Sequence, residues 1–217
     1  MTNQIMLSAG GHWRNWVGNQ SCVTSAAGAP ASEAELCEMV HTATSQGLNV
    51  RCAGSGHSFT PVVATSGLLL TLSGMKGIKG IDTQRKRVTA AAGTTINELG
   101  RYLKENGLSM VNQGDIDSQA LAGALTTGTH GTGAKLSNLA SAIVGMKIVQ
   151  PNGEILVADE TTPDLLKASR VSVGTLGVIS EITLQLMDSY NLHERLWRED
   201  FDACMEMHDE LAAKHRH

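Results

Sequence analysis

Glycines crowd the segment Arg51-Cys-Ala-Gly-Ser-Gly-His-Ser-Phe59, and one imidazole, His57, stands among them. Glycine admits positive φ and lets the main chain come close to a ligand. Successive N–H groups in such turns form a concave nest that takes anionic oxygens, those of a diphosphate included. An imidazole is neutral and nucleophilic near physiological pH, so a nest beside it sets an anchored anion next to a reactive ring. The residues by themselves leave two readings open: a ligand loop, or an ordinary Gly-Ser turn with a surface histidine.

A second stretch, Gln113-Gly-Asp-Ile-Asp-Ser-Gln-Ala-Leu-Ala-Gly-Ala-Leu-Thr-Thr-Gly-Thr-His-Gly-Thr-Gly133, carries small side chains and hydroxyls and too little bulk to build a core. Ser118 to Leu125 reads as a short helix capped by Asp117 or Ser118, its amino end aimed at negative charge. Gly128, Gly131 and Gly133 around His130 read as a tight loop with exposed amides. Neither stretch is a Walker loop, and neither keeps the spacing or setting of the Rossmann fingerprint. Phosphate hydrolysis and nicotinamide binding lose ground accordingly. A zinc site on His57 and His130 lacks supporting carboxylate or cysteine spacing, so no metal is expected.

Rigid elements must hold these loops. Leu48 to Ala53 and Leu68 to Leu72 read as strands on either side of the first loop. Ser32 and Glu35 open a capping-box pattern, and Leu36, Met39 and Val40 supply an apolar stripe, which predicts a helix over 32–46 ending at Gly47. Ile78 to Asp82 and Arg87 to Ala92 read as strands, and Thr95 to Glu105 as a helix. Pro151-Asn-Gly153 between Ile143–Gln150 and Glu154–Ala158 is a hairpin signal. Pro163 to Arg170 reads as a helix, Gly177 to Met187 as a long strand, and Asp200 to Lys214 as an amphipathic helix. Helices interleaved with strands and hairpins give an α+β fold.

With 217 residues, 41% hydrophobic and 18% charged, the chain has material for a real core. A net charge of −4 argues against general affinity for nucleic acid or anionic membrane. No run of about 18 apolar residues occurs, and Met1 to Gly11 lacks the form of a signal peptide, which predicts a soluble, cytoplasmic protein without a transmembrane segment. Cys22, Cys37, Cys52 and Cys204 show no C-x-x-C spacing and read as free thiols.

With Val171-Ser-Val-Gly-Thr-Leu-Gly-Val-Ile-Ser-Glu-Ile-Thr183 following in order, the chain resembles the FAD-binding domain of the vanillyl-alcohol-oxidase-like, or PCMH-type, flavoprotein superfamily. The likeness is strongest to the branch containing gulonolactone, arabinonolactone and alditol oxidases. It implies two α/β subdomains with FAD between them, residues 1–188 forming this domain and residues 189–217 a truncated start of a linker and cap.

The resemblance further implies that Cys52, Ala53, Gly54, Ser55, Gly56, His57 and Ser58 wrap the FAD diphosphate. His57 is the candidate for a covalent bond to the flavin 8α carbon, the alternative being a non-covalent donor. The same likeness sets Gly114, Asp115, Ser118, Gly123, Thr127, Gly128, Thr129 and His130 along the ribityl chain, phosphates and ring. Gly174, Gly177 and Ile179 fall at the adenine end. Gly114 stands where a small residue leaves oxygen a path to the flavin, and Asp115 departs from the usual serine or alanine, where a carboxylate would act on the ring or on substrate hydroxyls. No other catalytic residue is expected, because the cap supplies the substrate contacts. The implied activity is oxidation of a CH–OH group of a sugar lactone or polyol, with oxygen as acceptor; the alternative is a flavin- or nucleotide-binding module without catalysis.

Overall fold

The computed structural model of the chain describes residues 7–216. One lobe comprises β1 (Ser8–Ala9), the antiparallel pair β2 (His12–Arg14) and β3 (Ser21–Val23), β4 (Ala26–Gly28), α1 (Glu33–Ser45), β5 (Val50–Ala53) and β6 (Leu68–Thr71). Its sheet runs β1-β4-β6-β5, with β4, β6 and β5 parallel and β1 antiparallel at the edge. Parallel strands need crossovers, and α1 supplies the one from β4 to β5, which lie on either side of β6.

The other lobe holds β7 (Ile78–Asp82), β8 (Arg87–Ala91), α2 (Ile96–Glu105), β9 (Leu108–Ser109) and α3 (Leu121–Thr126). A 3₁₀ turn (Leu139–Ala142), β10 (Ile143–Val149), β11 (Ile155–Asp159), α4 (Pro163–Ser169), β12 (Val178–Gln185) and β13 (Met187–Asp188) complete it. Its five-stranded sheet, β11-β10-β12-β8-β7, is antiparallel throughout. The β10–β11 hairpin turns on Pro151, Asn152 and Gly153, where Gly153 takes φ 80°. The mixed architecture is the α+β fold that the sequence predicts.

The lobes share one core. Leu36 and Val40 of α1 and Leu68 and Leu70 of β6 pack in the same buried cluster as Ile96 and Leu99 of α2 and Ile148 and Ile182 of the second sheet. The first turn of α1 also ties the lobes by charge. Glu33 accepts from the fully buried Ser180 Oγ at 2.7 Å, and Lys147 reaches Glu33 at 3.7 Å and Glu181 at 3.1 Å.

The carboxy-terminal expectation needs correction. Instead of one amphipathic helix over 200–214, the chain forms α5 (Phe201–Glu206) and α6 (His208–Lys214), interrupted at Met207, and neither buries a residue. The apolar stripe read in the sequence exists, but Phe201 is 74% exposed, so no face packs to sustain a longer helix. Among the described residues, no helix is long and apolar enough to cross a membrane.

Two glycines let main chain meet main chain. A Cβ at Gly93 would sit 1.8 Å from the Leu72 carbonyl oxygen, and one at Gly177, whose φ is 137°, would sit 2.3 Å from that of Val149. Gly177→Ala is therefore expected to cost about 2 kcal/mol or more in urea denaturation; an unchanged midpoint would contradict this packing.

Helix α2 opens on a full capping box, Thr95 Oγ1 accepting from Glu98 N at 3.2 Å and Glu98 accepting from Thr95 N at 2.8 Å. The Thr95 backbone N–H first, and Lys76 after it, hold the Glu98 carboxyl below the ordinary range. A lowered folded-state value means that this contribution is present above the unfolded value and is lost as pH falls through the folded one. Thr95→Ala, which also removes the hydroxyl that donates to Glu98 at 2.9 Å, should cost about 1 kcal/mol at neutral pH and less once Glu98 is protonated; the same cost at both would exclude the charged Glu98 as a partner of that hydroxyl.

Candidate functional site

Strand β5 runs directly into Gly54, and the loop that follows is fixed through its carbonyls. Trp16 N–H donates to Gly56 O at 2.9 Å, Asn15 Nδ2 to Ser58 O at 2.9 Å, and Asn19 Nδ2 and Gln20 Nε2 to Phe59 O, each at 3.1 Å. Asn15 is only 5% exposed, and its Oδ1 also accepts from the amides of Gly18 and Gln20. With the carbonyls so engaged, the amides of Ser55, Gly56, His57 and Ser58 have no protein acceptor among the described residues. That is the donor array a nest requires. The clamp residues Asn15 and Trp16 escape the motif reading; the only local trace is the polar, glycine-containing turn between β2 and β3.

The Ser55 hydroxyl joins the two glycine-rich stretches. It donates to Ser118 O at 2.7 Å and accepts from Ala120 N at 3.0 Å. Gly54 makes the approach possible, since even a Cβ there would stand 3.2 Å from that of Ala120. His57 Nε2 lies 3.1 Å from Ser118 Oγ, and the Trp16 ring leans over the imidazole with centroids 5.3 Å apart. The histidine ring is thus gripped at one nitrogen and along one side.

Between the lobes lies a cleft of about 440 Å³, a volume in the range of small-molecule and cofactor sites. Cys52, Ala53, Gly54, Ser55, Gly56, His57, Ser58, Gly123, Thr127, Gly174, Gly177 and Ile179 line it, together with Gly93 and Gln119. Ser118 joins it through His57. No aspartate or glutamate is among the lining residues. Burial pushes the Cys52 thiol up to about 12, so this wall carries no thiolate. Gln119 Oε1 is buried with no protein partner among the described residues, an acceptor left for a bound donor. Open amides, an unmet acceptor and walls free of carboxylate fit a cofactor that pairs a diphosphate with hydrogen-bonding ring systems.

Part of the second stretch is placed otherwise than the sequence reading has it. The helix begins at Leu121, not Ser118, and has no side-chain cap. Its first amides are consumed by protein: Ala120 N–H donates to Ser55 Oγ, Leu121 N–H to Thr94 O at 2.8 Å and Ala122 N–H to Ala92 O at 3.1 Å. Asp117 instead accepts from Asn97 Nδ2. These three amides are therefore spent in holding α3 against the turn between β8 and α2.

Gly114, Asp115, Gly128, Thr129 and His130 lie outside the cleft walls. A Cβ at Gly114 would meet Thr129 Cγ2 at 3.2 Å, and His130 Nδ1 pairs with Gly131 O at 2.9 Å. Asp115 is exposed. Among the described residues, no group of three or more His, Cys, Asp or Glu side chains could hold a metal ion.

The comparisons with known proteins agree with this geometry. A family model described as FAD binding domain matches residues 24–159. An L-gulono-1,4-lactone dehydrogenase of Mycobacterium tuberculosis is 39% identical over 94% of this chain and 47% of its own length. The L-gulonolactone oxidase of Bos taurus is 32% identical over 84% of this chain and 42% of its own, and the D-arabinono-1,4-lactone oxidase of Eremothecium gossypii is 32% identical over 83% of this chain. The chain thus spans about half the length of the first two relatives. The crystal structure of 6-hydroxy-D-nicotine oxidase from Arthrobacter nicotinovorans superposes with a TM-score of 0.70 at 22% identity, covering 84% of this chain and 39% of that one. Nest, cleft and family match converge on one conclusion: the chain belongs to the FAD binding domain family.

Proposed function

We propose that this chain is the FAD-holding part of an oxidoreductase that oxidises a CH–OH group of a sugar lactone and passes the electrons to oxygen. The observation that carries the reading is the cleft in which the open amides of Ser55 to Ser58 and the gripped ring of His57 share one wall. The substrate class is supported by the relatives, which are named for gulonolactone and arabinonolactone chemistry. Bound FAD supplies the two-electron acceptor, and the protein supplies binding, orientation and electrostatics.

The chain's own residues divide that work. The Ser55–Ser58 amides take the diphosphate. The Ser55 hydroxyl keeps the loop registered on Ala120, which ties the nest to the α3 side of the cleft. Gly177 and the buried Ile179, which also line the cleft, are proposed to meet the adenine with main chain. His57, held by Ser118 and Trp16, is the proposed point of covalent attachment to the flavin, which in turn would favour hydride removal from an alcohol carbon. Support for oxygen as acceptor comes from the relatives named oxidases, since Gly114, the position read as an oxygen path, lies outside the cleft walls. The residues that select the lactone are proposed to lie in a separate domain reached through residues 189–217.

Two outcomes test the reading. Purified protein should carry a yellow chromophore that stays with the polypeptide after acid precipitation, and His57→Ala should release it on denaturation while still binding FAD. Color released from the unsubstituted protein would overturn attachment at His57, and a chain that refuses FAD would overturn the whole reading. The complete protein should form peroxide with aldonolactones in air; turnover only with an artificial dye acceptor would replace oxidase by dehydrogenase.

A further inference from the structure

Although the chain carries a formal charge of −4, the cleft walls hold no carboxylate and three basic side chains, Arg51, His57 and Lys76. Lys76 is already matched, its Nζ 3.1 Å from Glu98 Oε1, and His57 is engaged by Ser118. Arg51 has no carboxylate partner among the described residues. Its one protein acceptor is the Val173 carbonyl, which Nη1 meets at 3.5 Å, the outer limit of a hydrogen bond. A guanidinium is always charged and carries five donors, so a half-buried one with a single long contact has most of its hydrogen-bonding capacity unmet.

Resting on the FAD reading above, we infer that Arg51 is the charge-neutralising residue for the cofactor's diphosphate. Arg51 stands on the strand that feeds Gly54, so its Cα lies about 10 Å from the start of the nest, close enough for its long side chain to lean toward the same anion. Amides supply directional donors but only partial charge; the guanidinium supplies the full positive charge, in a cleft wall less screened than open surface.

The partner loop explains how the side chain is held until then. Val173 adopts φ 51°, a conformation unfavourable for a β-branched residue, and is pinned there by its N–H donating to Thr126 O at 3.2 Å and its carbonyl accepting from Arg51. Backbone strain of this kind persists where the surroundings fix it, and here it aims a carbonyl at the guanidinium. The contact is weak enough to yield to a diphosphate.

The test is calorimetric titration with FAD, ADP and riboflavin of His57→Ala protein freed of bound flavin, with and without Arg51→Met, folding being checked by circular dichroism. Arg51→Met is expected to weaken FAD and ADP by about ten- to a hundredfold and to leave riboflavin, which lacks the diphosphate, unchanged. Arg51→Lys should recover part of the loss. In the protein that keeps Arg51, raising salt should weaken ADP but not riboflavin, a readout that needs no folded Arg51→Met. Equal loss for riboflavin, or ADP affinity indifferent to both substitution and salt, overturns the role of Arg51 while the FAD reading stands. Failure of the Arg51-containing protein to bind either FAD or ADP overturns both.

Discussion

The site depends on one hydroxyl that acts in two directions. Ser55 Oγ donates to Ser118 O and accepts from Ala120 N, which closes a link between segments 63 residues apart in sequence. The link satisfies two backbone groups of the second stretch while using only the side chain of the first. The Ser55 amide and its three successors are left without protein acceptors, and the cleft owes its anion-binding character to that residue of unspent donors. Unpaired amides are costly when buried, so the loop persists in this form because its own residues remain half-exposed or exposed and because the N-terminal hairpin holds its carbonyls.

A second level of organisation keeps the walls apart by a fixed amount. The lobes are not separate bodies joined by a hinge, since α1 contributes to a core common to both sheets and reaches Ser180 on the strand that carries Ile179. Gly93 and Gly177 then allow main chain to approach main chain at positions that line the cleft. Electrostatics follows the same plan. Several acidic residues pair on the surface, Glu160 with Arg87 and Asp188 with Lys86 among them, and no aspartate or glutamate lines the cleft. A net acidic protein can thereby present a wall suited to an anion.

Much of this is legible in the sequence where chemistry is local. Glycines and a histidine at close spacing mark the nest because positive φ, as at Gly56 with 72°, is a property of single residues. The Pro151–Gly153 hairpin and the Thr95–Glu98 box are likewise set by neighbours along the chain. The helix near Ser118 reads less well. Asp117 and Ser118 have the side chains of helix caps, but Asn97 and His57, distant in sequence, take them, and tertiary hydrogen bonds outweigh a local preference. The clamp from Asn15 and Trp16 is invisible for the same reason: it consists of contacts to carbonyls some 40 residues away, with |i−j| of 43 for Asn15 and Ser58. The helix read over 200–214 fails for the complementary reason, an apolar stripe with nothing to pack on.

The central claim is that the Ser55–Ser58 amides hold a diphosphate. The most direct measurement is a crystal structure of this chain with ADP. The account predicts diphosphate oxygens within hydrogen-bonding distance of those four amides, with the Ser55 link to Ser118 and Ala120 intact. A diphosphate bound elsewhere, or a loop whose amides have turned to protein carbonyls, would contradict it.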